Sequence, residues 1–295
     1  PGGTVTAVLG TGSHGQSVET TIAQVVAEEL GVDFDSVKVV QGDTAEAPFG
    51  PGTGGSRTAV MVGGATRRAA GEVRAKVVEV ASHLMEAAPA DLEVKGGVIS
   101  VRGTPARAVP FAEVARIAYL EPDALPDGVE PGLEASVRFT SEQPFTWSNA
   151  CHLCTVEIDR ATGLVEVLRY IVSEDCGVMI NPMVVEGQIA GGVAQGIGGV
   201  LYEHFVYDEE GNPLTTTFLD YLVPTAAEMP ELEYGHVETA SNMPGGHKGM
   251  GEGGAIGSPP AVFNAVADAL APLGVRPTRT PLGPSEILAL ITGTP

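Results

Sequence analysis

The chain has 295 residues, 43% apolar and 18% charged, a globular composition long enough for one large or two ordinary domains. Its formal net charge of −21, from 16 basic and 37 acidic residues, argues against nucleic acid and against anionic membrane surfaces as partners, since both demand basic patches. No apolar stretch approaches the roughly 18 residues of a membrane span, the composition leads us to expect no secretory signal, and three cysteines without framework spacing fit a reducing cytoplasm.

In chain order, residues 4–9 read as a strand and 16–31 as a helix, with Val18, Ile22, Val25, Val26 and Leu30 on one face and Gly31 as its stop. The abrupt start on a strand leads us to expect a preceding or accompanying segment. A short strand over 37–41, a Gly- and Pro-rich loop over 42–57 and a long helix over 59–85 follow. Residues 92–101 read as a hairpin around Lys95, Gly96 and Gly97. Residues 103–132 are proline-rich with one short helix, about 111–119, and mark the expected boundary between a first lobe, 1–132, and a second, 133–295. The second half opens with strands over 154–159 and 164–173 about a turn at 160–163. Asn181 and Pro182 start a helix to about 202 that holds Gly187, Gly191, Gly192, Gly196, Gly198 and Gly199. Each interior glycine costs ~1 kcal/mol against alanine, so we expect a backbone pressed on a neighbour or a small-residue helix contact. A turn at 208–213 and a C-terminal helix near 284–290 complete the reading. Strands and helices mix without strict alternation, giving an α+β class with two mixed α/β lobes and no internal repeat.

Residues 245–257 include seven glycines and one carboxylate, Glu252. Glycine lets a backbone approach another body closely, so the loop suits a general base presented against a bulky cofactor. The alternative is a solvated glutamate on a surface loop. A helix is expected next, capped by Ser258 with proline at its first position and with Val262, Val266, Ala269 and Leu270 as its apolar stripe. Residues 10–17 nearly spell a phosphate-binding loop, but Gln16 stands where the lysine must be, which argues against an ATPase. The loop amides and helix start still suit an anion such as a pyrophosphate, and the Gln16 amide suits a planar heterocycle. Residues 52–58 form a second such cradle, with Arg57 as a possible anion ligand or surface ion pair. Cys151 and Cys154 form a C-x-x-C with no second ligand pair, on a strand that would aim them to opposite faces.

These segments, joined by 169–182, 185–198 and 248–254, resemble the molybdopterin-binding subunit of the xanthine dehydrogenase/aldehyde oxidase/carbon monoxide dehydrogenase family, in its C-terminal molybdenum-cofactor domain. The resemblance runs in order from about residue 5 to 292. It implies that Glu252 is the catalytic glutamate beside molybdenum. It implies that His14, Gly15, Gln16 and Ser17 form one pterin loop, with Ser17 and Val18 departing from the usual glycine and histidine. Gly55, Ser56, Arg57 and Thr58 form a second cofactor loop, Gln188 hydrogen bonds the pterin, and Lys248, Gly249, Met250 and Gly251 supply backbone around the metal. It further implies hydroxylation of an aldehyde, N-heterocycle or similar small substrate with water-derived oxygen. The cofactor would be molybdopterin in its cytosine dinucleotide form. Electrons would leave to iron–sulfur clusters and FAD on partner subunits, and an N-terminal half or subunit would complete the site. Three cysteines are too few for such clusters on this chain. Two rival readings are a non-catalytic cofactor-holding or assembly subunit and a phosphate- or nucleotide-binding module.

Overall fold

The computed structural model describes residues 1–47, 49–141 and 145–293. Pro48, within the loop expected over 42–57, lies outside the described residues. The chain divides into two compact units, Pro1–Thr146 with Ala240–His247, and Trp147–Thr239 with Lys248–Pro295.

In the first unit, β1 (Val5–Leu9) pairs in parallel with β2 (Val37–Gln41), Val5 opposite Val37 and Leu9 opposite Gln41. The connecting helix α1 (Val18–Leu30) buries Val18, Ile22, Val25, Val26 and Leu30, the expected stripe. Gly31 stops it in the left-handed region at φ 69°, where its N–H donates to the Ala27 carbonyl. The long helix α2 (Thr58–Met85) adds Val77, Val80 and Ala81 to the same core. Strands β3 (Leu92–Lys95) and β4 (Val98–Val101) form the expected hairpin. A third strand, β5 (Thr104–Pro110), pairs antiparallel with β4 where the sequence reads as a proline-rich connector. Its two prolines sit near its ends, as an edge strand allows. Helix α3 (Phe111–Leu120) closes the core with Phe111, Val114 and Ile117. Each fully buried aliphatic or aromatic side chain contributes ~1.5–3 kcal/mol.

The second unit is a three-stranded sheet in the order β6 (Asn149–Ile158), β7 (Val165–Asp175), β8 (Leu232–His236), with β7 antiparallel to β6 and parallel to β8. The sequence reading omits β8, whose run carries a glycine and no clean alternation. Helices α4 (Pro182–Leu201) and α5 (Gly253–Leu270) pack on each other, and α6 (Pro284–Thr292) adds Ile287. The Asn181 side chain caps α4 by accepting from the Val184 N–H. Tyr170, Val172, Ile189, Val193, Ile197, Val262 and Val266 form the core.

Two expectations for this unit are answered. A Cβ on Gly192 would stand 2.4 Å from the Ala255 nitrogen, and one on Gly196 1.9 Å from Ser258 Oγ, so these glycines serve close helix–helix packing. Gly187, Gly191 and Gly199 face open space instead. The α5 start is a correction: Ser258 is not its cap, and Pro259 and Pro260 lie inside the helix. Ser258 is fully buried and its hydroxyl donates to the Gly192 carbonyl at 3.0 Å. The helix begins six residues early, at Gly253 rather than Pro259, because that contact, rather than propensity, holds the glycines helical.

Candidate functional site

In the first unit the loop 10–17 leaves β1 and enters α1. Gly10 has no room for a side chain, since a Cβ would meet the Phe49 carbonyl at 2.6 Å. Ser17 sits in the left-handed region at φ 59° and makes no side-chain cap, so the first turn of α1 keeps donors for an outside acceptor. The Gln16 carbonyl oxygen accepts the His14 N–H and the Ser13 hydroxyl. Gln16 Nε2 is buried with no hydrogen-bond partner among the described residues. Gln41, at the end of β2, has both amide atoms in the same condition. A chain of hydroxyls ties the two loops together: Thr11 to Thr53 at 3.1 Å, and Thr53 to Thr58 at 3.0 Å. The Thr53 hydroxyl also reaches the Gly12 carbonyl at 3.3 Å. Ser56 is left-handed, φ 54°, and Gly55 precedes it at φ 60°. Arg57 is exposed, and its guanidinium donates to the Pro51 and Gly52 carbonyls, bracing its own loop. The unpartnered Gln16 Nε2, the unpartnered Gln41 amide and an uncapped helix start suit a ligand rich in acceptors and donors, such as a pterin with its phosphate.

In the second unit Glu252 is the N-cap residue of α5 and is exposed; its backbone carbonyl accepts the Ile256 N–H at 3.0 Å. Behind it, the Gly253 N–H donates to the Met250 carbonyl at 3.1 Å, and Met250 is buried. Lys248 anchors the loop twice. Its N–H donates to the Cys176 carbonyl at 2.8 Å, and its ammonium donates to Asp175 Oδ2 at 2.8 Å and to the Thr239 hydroxyl at 2.6 Å. Asp175 also accepts the Gly177 N–H at 2.9 Å, the Thr239 N–H at 3.2 Å and the Thr239 hydroxyl. Burial pushes the Asp175 pKa up, but the Lys248, Thr239 and Gly177 donors outweigh it and hold the carboxyl well below the usual range. Next to it, Glu174 is 2% exposed and neither carboxyl oxygen has a hydrogen-bond partner among the described residues. Burial, with the Asp175 charge second, pushes it up to about 7. Gly249 and Gly251 complete the loop, and Gln188 lies half-buried on α4.

The structure therefore gathers His14, Gly15, Gln16 and Ser17 with Gly55, Ser56, Arg57 and Thr58 within the first unit. In the second, Lys248, Gly249, Met250, Gly251 and Glu252 share one loop. Sequence reasoning gave no individual role to Gln41, Thr53, Glu174 or Asp175, although the last three lie in segments it singled out. The inward alternation Tyr170, Val172, Glu174 was a signal for the buried acid. Nothing local marked Asp175 as the partner of Lys248. Cys151 is exposed and Cys154 half-buried on alternate faces of β6, as expected, and both are free thiols. Among the described residues no cluster of three or more His, Cys, Asp or Glu side chains is placed to hold a metal ion. No described helix is long and apolar enough to cross a membrane.

Residues 1–230 match the family model described as the molybdopterin cofactor-binding domain. The chain is 44% identical over 292 residues to the nicotine 6-hydroxylase large subunit of Paenarthrobacter nicotinovorans, covering 99% of this chain and 36% of that protein. It is 41% identical over 276 residues to the carbon monoxide dehydrogenase large chain of Hydrogenophaga pseudoflava, covering 93% of this chain and 34% of that one. The crystal structure of quinoline 2-oxidoreductase from Pseudomonas putida 86 superposes with a TM-score of 0.90 at 43% identity, over 98% of this chain and 37% of that one. The chain thus spans about a third of the length of these relatives. It belongs to the molybdopterin cofactor-binding domains found in large subunits of the xanthine dehydrogenase, aldehyde oxidase and carbon monoxide dehydrogenase family.

Proposed function

We propose that this chain is the part of a molybdenum hydroxylase that holds the molybdopterin cofactor and supplies its general base. The observation that carries the reading is Glu252, exposed at the N-cap of α5 on a loop anchored by the buried Lys248–Asp175 pair. Such anchoring is what a general base needs, because proton transfer demands a fixed heavy-atom approach. The residues that would hold the cofactor are His14, Gly15, Gln16 and Ser17, then Gly55, Ser56, Arg57 and Thr58, then Gln188 and the backbone of Lys248, Gly249, Met250 and Gly251. The unpartnered Gln16 Nε2 supports this fit. When bound, the cofactor supplies the redox chemistry that hydroxylates an electron-poor carbon with oxygen from water. Glu252 takes up the proton released from that oxygen at its carboxylate. Lys248 keeps its charge engaged with Asp175, which anchors the loop that presents Glu252.

The substrate class we infer is a small N-heterocycle or aldehyde; relatives named for nicotine and quinoline support the former. We further infer the cytosine dinucleotide form of the cofactor and a cytoplasmic hetero-oligomer. Its other parts would be an N-terminal molybdopterin-binding half or subunit, an iron–sulfur subunit and an FAD subunit. Large-subunit relatives support the assembly. The test is native purification from the host, with molybdenum content and the masses of co-purifying chains measured together. We expect one molybdenum per chain and iron–sulfur and flavin partners. A metal-free, solitary chain would move the reading to a non-catalytic binding module.

A further inference from the structure

Glu174 has no part in the chemistry above, yet it lies directly under the loop that carries Glu252. It follows Tyr170 and Val172 on the inward face of β7 and is as buried as they are. A Cβ on Gly253 would stand 2.3 Å from Glu174 Oε1, so the carboxyl rests against the backbone of the residue that follows Glu252. Neither of its oxygens finds a hydrogen-bond donor among the described residues. A buried carboxyl left unpaired is costly, and an apolar side chain would fill this space at lower cost.

We propose that Glu174 is a positioning residue for Glu252, setting the place of the α5 start through the carboxyl packed against Gly253. The inference rests on the role proposed for Glu252. The groups around Glu174 are few. Asp175 and Cys176 follow it in the chain, and Lys248 is engaged by Asp175. On β8, His236 is its register partner and pairs with Glu186 of α4 at 3.3 Å. On β6, Ala150 is opposite, followed by Cys151 and His152. At α5, Glu252 adjoins Gly253. As a neutral acid, Glu174 fills the space under Gly253 without placing a charge in an apolar layer. Once ionised, it is repelled by the Asp175 carboxylate and drawn towards the first-turn N–H groups of α5, so the resting place of Gly253 changes.

The carboxyl's ordinary value is 4.5 and the folded protein raises it to about 7. The packed loop therefore holds a proton over that window, and an opened loop, where Glu174 meets water, does not. The packed state weakens as pH rises through the window and is constant above it. The test is hydrogen–deuterium exchange on peptides covering 248–258, in the protein purified with its accompanying chains, at pH values from 5 to 8. The Ile256 amide reports on Glu252 directly, because it donates to the Glu252 carbonyl. Corrected for intrinsic exchange, wild-type protection should fall by up to about tenfold per pH unit below pH 7 and then level off. E174Q, which keeps the shape and cannot ionise, should show no such fall. E174A, with space left under Gly253, should exchange faster than E174Q at every pH. The same pH dependence in E174Q, or unchanged protection in E174A, overturns the proposal. The readout does not need bound molybdenum. An exchange signature without molybdenum-dependent turnover would count against the proposed function alone; no signature in an enzyme that E252Q inactivates would count against the positioning role alone.

Discussion

The two units present their candidate residues in opposite chemical styles. The first offers neutral donors: loop amides, the Thr11, Thr53 and Thr58 hydroxyls, the orphaned Gln16 Nε2 and the Gln41 amide, with Arg57 turned onto its own carbonyls. The second offers charge: Glu252 on a loop held by Lys248 and Asp175, with Glu174 buried beneath. Neutral donors recognise shape and hydrogen-bonding edges without changing protonation state. Titratable groups held by buried partners move protons. On the proposed function, this contrast would give holding to the first unit and proton chemistry to the second.

The sharpest way to break this comparison is Glu252→Gln. General-base loss should lower kcat/KM by about 10²–10⁴-fold while molybdenum content stays at the wild-type level. Turnover of a substrate found by screening the native complex, beside metal analysis of the same preparation, checks both halves; full activity would return Glu252 to the role of a solvated surface residue. Next in size is Asp175→Asn, which leaves the Lys248 ammonium buried without its counter-charge. We expect a loss of about 3 kcal/mol in denaturant unfolding at pH 7. Because the Asp175 pKa is depressed in the folded state, its contribution is present above the ordinary value of 3.8 and is lost only as pH falls well below it. The deficit of the variant should therefore shrink in strong acid, and a constant deficit would show that charge is not what matters there. The smallest expected effect belongs to the first unit. Gln16→Ala removes one neutral hydrogen-bonding group, so cofactor affinity should fall by about five- to tenfold, with no change in the pH dependence of turnover. Molybdenum retained through dialysis measures the first, and a shifted pH profile would blur the division between the units.

Much of the scaffold was legible because its signals are local. The stripe Val18, Ile22, Val25, Val26, Leu30 repeats at helical spacing, and the pair β6 and β7 shows strand composition about a clear turn. The loops 10–17, 52–58 and 248–254 stood out by glycine content. Glu252 stood out as the one carboxylate among those glycines. What the sequence by itself determined was thus the elements with strong periodicity, the order of the cofactor-type loops and the identity of the candidate base.

Only tertiary structure decided the rest. β5 and β8 are edge strands whose pairing partners, rather than their own residues, make them strands. The first turns of α5 are glycine and proline, poor helix formers, and are helical because α4 closes on them at Gly192 and Gly196. Lys248 meets Asp175 across 73 residues of chain, and Glu174 comes to lie under Gly253 from a different strand. No window of sequence contains either pair. Burial and charge pairing arise when distant segments exclude water from one another, and that is settled by the packing of the whole unit.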